Sequence, residues 1–289
     1  MSSHHNSLRW RSGVNLVVIA AALVAITVIT NAYSFNLMLR NFRQSLSSTA
    51  LIYTEQISGK VDKINSGSLE LVSLAASSQN YYTSSPLGRY LTQQDILTRL
   101  QDRIRYVESS DLYFFYRTDS DELLTALSNR ASTGSSYFWN QYLMLPPTQP
   151  ANTWFSVTCN GETWLMCYYN VSQVRVGAAV RAKTLLQSLY ADTGLVQDSG
   201  FALAGLDGTI VYSSQPDLMA CGTSLAGHIP ASLIVESHTV PEVGTLLLFR
   251  PSSDLLHQLS GSFGWLLLLN LLALALITTC LLYTSDAAD

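Results

Sequence analysis

The chain has 289 residues, of which 48% are hydrophobic and 12% charged, with a formal net charge of −4. That is too apolar for a disordered chain and low in charge for a soluble domain, where about a quarter of the residues are charged. The net acidic balance leaves no basic footprint, so no nucleic-acid partner is expected.

Residues 1–12 read as a short cytoplasmic tail. The next stretch, "GVNLVVIAAALVAITVITNAYSF" (Gly13–Phe35), carries no charge and lies between Arg9/Arg11 and Arg40/Arg43. About twenty apolar residues suffice to cross a bilayer, whereas the apolar core of a cleaved signal peptide is roughly 7–15 residues and ends at small residues. This run is longer and continues into a helical pattern, so a first transmembrane helix is expected at 13–35. A stalk follows over 36–80, with one amphipathic helix predicted from Asn41 to Asn80. Ala50, Ile57, Ile64 and Leu71 recur every seven residues, with Leu46, Tyr53, Val61 and Leu74 between them, giving one apolar stripe. Gly59 and Gly67 weaken this helix without ending it. The stripe can serve its own domain or a second subunit.

After the break "SSPLG", Thr92 is expected to start a second helix, with Asp95 three residues on as in a capping box. Ile96, Leu100, Ile104 and Val107 line one face of it. The period then changes. "LYFFYR" (Leu112–Arg117), "LLTAL" (Leu123–Leu127), "TWFSVTC" (Thr153–Cys159), "TWLMCYY" (Thr163–Tyr169) and "QVRVGAAVR" (Gln173–Arg181) are short β-rich runs separated by turns. Pro146, Pro147 and Pro150 break the chain before a hairpin at Asn160-Gly161, a strong two-residue turn. A short helix over Lys183–Tyr190 leads to a smaller group. It holds a hairpin around Asp207-Gly208 in "GFALAGLDGTIVYSS", a strand "TLLLFR" (Thr245–Arg250) and a helix "SSDLLHQL" opened by Pro251 and Ser252. The expected fold class is α+β, with two antiparallel sheet modules, 81–182 and 183–262, carried on a long N-terminal helix and flanked by two transmembrane helices.

Cys159, Cys167 and Cys221 fall in this central region, an odd number and a poor disulfide framework. The Asn160-Gly161 register sets Cys159 opposite Glu162 and Cys167 opposite Trp154, so buried free thiols are expected. "FGWLLLLNLLALALITT" (Phe263–Thr279) is apolar apart from Asn270 and its closing threonines, and reads as a second, truncated transmembrane helix. The final "CLLYTSDAAD" (280–289) back-translates in frame into a transposase adapter of the kind used in DNA library preparation. Such segments are set aside from fold reasoning, and the native chain is expected to continue past Thr279. A loop of roughly 220 residues between two spans crosses the membrane largely regardless of its own charge, which places the large domain outside the cell. Asn270, polar within lipid, either bonds to a helix partner in the four-helix bundle of a homodimer or is simply tolerated.

The 81–182 module concentrates side chains able to line a small-ligand pocket: Tyr113, Phe115, Arg117, Tyr137, Trp139, Trp154, Trp164 and Tyr168. Tyr113, Phe115 and Arg117 alternate on one strand face, from which Arg117 could offer a guanidinium fork to a carboxylate. The competing reading makes the aromatics core and pairs Arg117 with Asp119 or Asp121. Asp119, Asp121 and Glu122 lack the glycine and the remaining ligands of a calcium loop. "GTSLAG" (Gly222–Gly227) lacks the glycine that follows a hydrolase nucleophile by two residues. His228, His238 and His257 have no partner at metal spacing. No cofactor, metal or catalytic group is expected.

The order of span, long helix, large sheet, "VGAAVRAKTLLQSLY", hairpin "GFALAGLDGTIVYSS", "GTLLLFRPSSDLLHQL" and span resembles the double Cache (dCache) extracytoplasmic domain of bacterial transmembrane sensors. Sensor histidine kinases are the nearest in kind, and the resemblance covers residues 34–262. It rests on order more than on one motif, and its most specific piece is the strand–Asp-Gly–strand hairpin, common in the membrane-proximal module. It implies two PAS-like modules, a small extracellular ligand held in the membrane-distal one, a bacterial plasma-membrane location in contact with lipid, and a cytoplasmic output. That output is often a histidine kinase, and in other members a chemotaxis helix, a cyclic-dinucleotide enzyme or a DNA-binding domain. Amino-acid-binding members carry an arginine just before a Trp-Tyr pair. Here "SSYFWNQYL" has Trp139 without it, so an amino-acid ligand is not supported. Two other classes compete: an anchored extracytoplasmic enzyme, for which no nucleophile, base or metal cluster is found, and a two-span structural or assembly protein.

Overall fold

The computed structural model describes residues 3–78, 85–107, 109–128, 151–159, 161–191, 199–226 and 229–253, together with 264–265, 268–273, 275–277 and 279. Its elements in chain order are α1 (Ser3–Ser78), α2 (Pro86–Tyr106), β1 (Leu112–Arg117), β2 (Glu122–Leu127), β3 (Phe155–Cys159), β4 (Glu162–Val171) and β5 (Val174–Arg181). There follow α3 (Ala182–Leu185), α4 (Gln187–Ala191), β6 (Gly200–Gly205), β7 (Ile210–Ser213), β8 (Leu233–Val240) and β9 (Gly244–Pro251). The described residues fall into two units, one drawn from Met1–Ser45, Ser232–Ile234 and Pro251–Asp289, the other from Leu46–Ala231 and Val235–Arg250.

In the first unit, the polar side chains of α1 turn back on their own helix. Thr27 Oγ1 donates to Leu23 O at 2.8 Å, Thr30 Oγ1 to Ile26 O at 2.8 Å and Asn31 Nδ2 to Thr27 O at 2.8 Å. Such back-bonding satisfies polar groups without water. Asn270 Nδ2 donates to Thr27 Oγ1, so Asn270 finds its partner within the chain. α1 holds the one described helix long and apolar enough to cross a membrane, Val17–Ala76, with a window of mean hydropathy 2.0. The expected second span enters the described residues as the shorter apolar helix Leu268–Ile277, where about 20 residues are needed to cross. The expected helix over 252–259 is described only at Ser252 and Ser253, and residues 280–289 lie outside the described residues.

In the second unit, α1 is the spine. All eight residues of the apolar stripe are buried, with Ala50, Ile57 and Ile64 at 0% exposure. Gly67 has a packing reason: a Cβ there would lie 2.5 Å from the Tyr113 hydroxyl, which donates to Ile64 O at 3.4 Å. The second helix begins earlier than its capping-box reading. Ser85 is the N-cap, its hydroxyl accepting from Gly88 N at 3.3 Å, and Pro86 opens the first turn. Proline at that position costs nothing because its missing N–H would be unsatisfied anyway. "SSPLG" is therefore a start signal, and Thr92 sits inside the helix with its hydroxyl on Gly88 O.

The five-stranded sheet has the order β2-β1-β5-β4-β3, with antiparallel registers throughout. Cys159 pairs with Glu162, the register expected from the sequence, and Cys159, Cys167 and Cys221 are free thiols. Gly177 lets β5 approach β4, since a Cβ would lie 2.3 Å from Cys167 O and 2.9 Å from Phe114 Cε1. The four-stranded sheet has the order β7-β6-β9-β8. Its Asp207-Gly208 turn is pinned by Asp207, whose carboxylate accepts from Thr209 N at 3.0 Å and Thr209 Oγ1 at 2.9 Å. The strand β8 escapes the sequence reading because "LIVESHTV" lies at the sheet edge, with its middle half-buried or exposed and no clean alternation. The connector expected over Lys183–Tyr190 is two short helices, α3 and α4. Lys60 of α1 donates to Leu185 O at 2.9 Å, meeting the carbonyl end of α3, a favourable place for a cation.

Candidate functional site

The two faces of the five-stranded sheet differ in chemistry. Because side chains alternate along a strand, "LYFFYR" sends Tyr113, Phe115 and Arg117 one way and Leu112, Phe114 and Tyr116 the other. The Tyr113 hydrogen bond to α1 identifies the first as the helix face. On the opposite, outer face, Leu112, Phe114, Tyr116, Val157, Cys159, Trp164, Met166, Tyr168 and Ala179 form one buried cluster.

Two guanidinium groups belong to this outer face. The β1–β5 register sets Tyr116 opposite Arg175, and the β4–β5 register sets Trp164 opposite Arg181. The Arg175 guanidinium carbon lies 5.5 Å from the Tyr116 ring centre and 5.3 Å from that of Tyr168. Arg181 lies 5.7 Å from the Trp164 ring. These are cation–π distances. Burial lowers the Arg175 pKa from its ordinary value, and the neighbouring Tyr168 and Tyr116 act the other way. Burial raises the phenols of Tyr116 and Tyr168. Tyr116 also donates to Asp121 Oδ1 at 2.8 Å, which fixes the edge of the ring pair.

Asp111, fully buried, holds Arg181 in place. Its Oδ2 accepts from Arg181 N at 2.9 Å and Nε at 3.3 Å, and its Oδ1 from Arg181 Nη2 at 3.1 Å and Ser128 Oγ at 3.1 Å. A forked pair of this kind fixes a guanidinium more tightly than a point charge does. The face is thus a wall of aromatic rings bearing one anchored and one stacked cation.

The eight residues singled out by sequence divide. Trp164 and Tyr168 lie together on the outer face. Tyr113 and Phe115 are fully buried on the helix face. Trp154 is also buried and donates from Nε1 to Asn65 Oδ1 of α1 at 3.2 Å. Arg117 forms the surface pair weighed against a ligand role: its Nε donates to Asp119 Oδ1 at 2.7 Å, and the pair holds the Asp119 carboxyl below its usual range. Tyr137 and Trp139 lie outside the described residues. The acidic turn is accounted for locally, with Asp119 on Arg117, Asp121 on Tyr116 and Glu122 on Gln93. No group of metal-ligating side chains occurs among the described residues.

Asp111, Tyr116, Arg175 and Arg181 were missed. A usable signal was present: "VRVGAAVR" places Arg175 and Arg181 at the same parity, and the Ser172-Gln173 turn fixes which residues of β4 they face.

No family model matches the sequence, and no curated protein matches it. Solved structures do. The periplasmic sensory domain of the Campylobacter jejuni chemoreceptor Tlp1 is similar at a TM-score of 0.51 and 10% identity, over 74% of this chain and 96% of that domain. The extracellular domain of the putative histidine kinase vpHK1S-Z8 gives 0.45 at 13% identity, covering 80% and 96% of the two chains. The ligand-binding domain of C. jejuni chemoreceptor Tlp3, in complex with L-norvaline, gives 0.45 at 9%, covering 76% and 93%. The chain shares the fold of the Tlp1 periplasmic sensory domain, here a long helix and two antiparallel sheets.

Proposed function

We propose that the chain is the extracytoplasmic, ligand-sensing input region of a bacterial transmembrane signalling receptor, and that a histidine kinase is its output. The fold shared with Tlp1 over 96% of that domain carries the sensing part of this reading, which is common to both outputs. A fold alone hosts many functions, so the outer face supplies the rest: a small ligand sits on Tyr116, Trp164, Tyr168 and Arg175. Tyr137 and Trp139 complete the set proposed from the sequence, while Tyr113, Phe115 and Trp154 pack that sheet on α1. The five-stranded module, 81–182, is then membrane-distal, and the four-stranded one, 183–262, proximal. The chain itself catalyses no reaction on this reading.

Lipid covers the N-terminal part of α1, where Val17, Val24 and Ile29 point outward at 65%, 63% and 67% exposure. A second span begins near Phe263, which makes the protein two-pass, and two copies associate in the bilayer. Ligand binding biases one of two packings, as any ligand with unequal affinity for two states must.

The test has two arms. Alkaline phosphatase fused after Ser262 should be active outside the bacterial inner membrane; a fluorescent protein that matures only in the cytosol and glows at that position would overturn the reading. A thermal-shift screen of the full chain in detergent against small carboxylates, amines and sugars should yield one stabilising compound. Its effect should vanish in Tyr168→Ala and Arg175→Gln and persist in Arg117→Ala. A chemoreceptor input is the second reading, favoured by the likeness to Tlp1. Autophosphorylation of the complete receptor by ATP separates the two.

A further inference from the structure

The two sheets meet α1 at one side chain. Asn65 Nδ2 donates to Glu242 Oε2 at 2.6 Å, while Asn65 Oδ1 accepts from Trp154 Nε1 at 3.2 Å. Trp154 immediately precedes β3 of the five-stranded sheet, and Glu242 sits in the turn between β8 and β9 of the four-stranded sheet. One amide thus uses its donor on one sheet and its acceptor on the other, which neither a carboxylate nor an ammonium could do.

Glu242 is not at rest in its backbone. Its φ of 66° is left-handed, a conformation costly for a residue with a side chain and kept only where surroundings over-determine it. Those surroundings are visible. Val243 N donates to Val240 O at 3.3 Å, and Gly244 at φ 147° lies so close to β6 that a Cβ would fall 2.0 Å from Ala204 O. The turn is clamped to its own sheet, and the Glu242 carboxylate projects from it toward the other. Its charge contributes to raising the Cys167 thiol and the Tyr169 phenol of β4, after the larger effect of burial. A strained residue, pinned on the four-stranded sheet and reaching the five-stranded one, is built to register their relative position.

We propose that Trp154, Asn65 and Glu242 form a coupling joint that ties the packing of the five-stranded sheet to the backbone of the β8–β9 turn. A shift of β3 against α1 pulls on the indole, reorients the Asn65 amide and releases the Glu242 carboxylate. With that bond gone, no other hydrogen bond among the described residues ties the turn to α1. The joint belongs to the fold and needs no ligand, so it stands or falls separately from the sensing reading.

Hydrogen–deuterium exchange on the full chain in detergent tests it. Trp154→Phe keeps an aromatic ring and removes the donor together with part of the buried ring's volume. It should speed amide exchange across residues 242–245, on the other sheet, by roughly tenfold, the equivalent of about 1.4 kcal/mol. Glu242→Ala should do the reverse, speeding exchange at residues 153–156, whereas Glu242→Gln keeps an acceptor for Asn65 and should leave both segments as in the parent. Faster exchange confined to the mutated sheet in either Trp154→Phe or Glu242→Ala overturns the joint. So does Glu242→Gln matching Glu242→Ala. If Trp154→Phe does not fold, the Glu242 pair still decides the matter.

Discussion

The two antiparallel sheets share one helix and yet are filled differently. At the centre of the four-stranded sheet, Ala202, Leu203 and Ala204 of β6 and Leu246, Leu247, Leu248 and Phe249 of β9 are all fully buried, a run of small and aliphatic groups with one aromatic ring. The outer face of the five-stranded sheet keeps two guanidinium groups over Tyr116, Tyr168 and Trp164 and a carboxylate, Asp111, at 0% exposure. Taking charge out of water is costly even when it is paired, so a sheet built only for rigidity would resemble the first. The difference separates a sheet with charge built into its buried face from one packed with aliphatic groups.

The largest effects come from glycines at which each sheet brings two strands together. Alanine at Gly244 would place its Cβ 2.0 Å from Ala204 O at a φ of 147°, and alanine at Gly177 would place it 2.3 Å from Cys167 O. The first is faulted twice, by space and by backbone, and Gly244→Ala should cost about 4 kcal/mol or more. Gly177→Ala is faulted by space alone and should cost about 2–3 kcal/mol. Urea unfolding of the full chain measures both. The reverse order would show the aliphatic sheet to be the softer body and break the comparison.

Of comparable size is the effect of the buried Asp111–Arg181 pair, which has no counterpart among the described residues of the four-stranded sheet. Asp111→Ala leaves Arg181 without its fork and should cost about 3–5 kcal/mol. Asp111→Asn still offers an oxygen to Arg181 N and should cost about half as much. Equal stabilities for parent and Asp111→Ala would mean that Arg181 finds water there, and the face would lose its claim to a fixed cation.

What the sequence showed and what it hid follow the same division. The α1 stripe was legible because every one of its eight positions is buried within the chain, so periodicity and packing agree. The Asp207-Gly208 hairpin was legible because its turn chemistry is local. The strand β8 was not, since an edge strand with Glu236, Ser237 and His238 in its middle has no hydrophobic signature to read. The start of α2 was mistaken because Ser85-Pro86 serves equally as a break or as a cap and first turn, and only the accepted Gly88 N–H decides. The candidate site was half legible. Aromatic content marked the right sheet, but which aromatics share a face depends on pairing between strands far apart in sequence, Tyr116 with Arg175 for example. Asp111 gave no signal at all, because an acidic residue before a strand reads as solvated until its partner across the sheet is known.

The smallest effect sharpens the comparison through the thiols. Cys167 is buried in the five-stranded sheet and pushed up to about 12, by burial first, whereas Cys221 is exposed. Its ordinary value is 9.0, which an unfolded chain would show. A raised pKa means that the folded state keeps its proton where the unfolded state gives it up. The resulting stability is therefore complete below pH 9 and is lost as pH climbs from 9 toward 12. At pH 10 the loss from this one group is about 1 kcal/mol. Below pH 10 the tyrosines add little, because the ordinary value for Tyr169 is already 10.0. Cys167→Ala should reduce the fall in unfolding free energy between pH 8 and pH 10, leaving the part owed to Cys159, whose thiol burial also raises. In the native protein at pH 8, iodoacetamide should label Cys221 and spare Cys167. Equal labelling of the two would place Cys167 in contact with water, and the helix face of β4 would then be open to solvent.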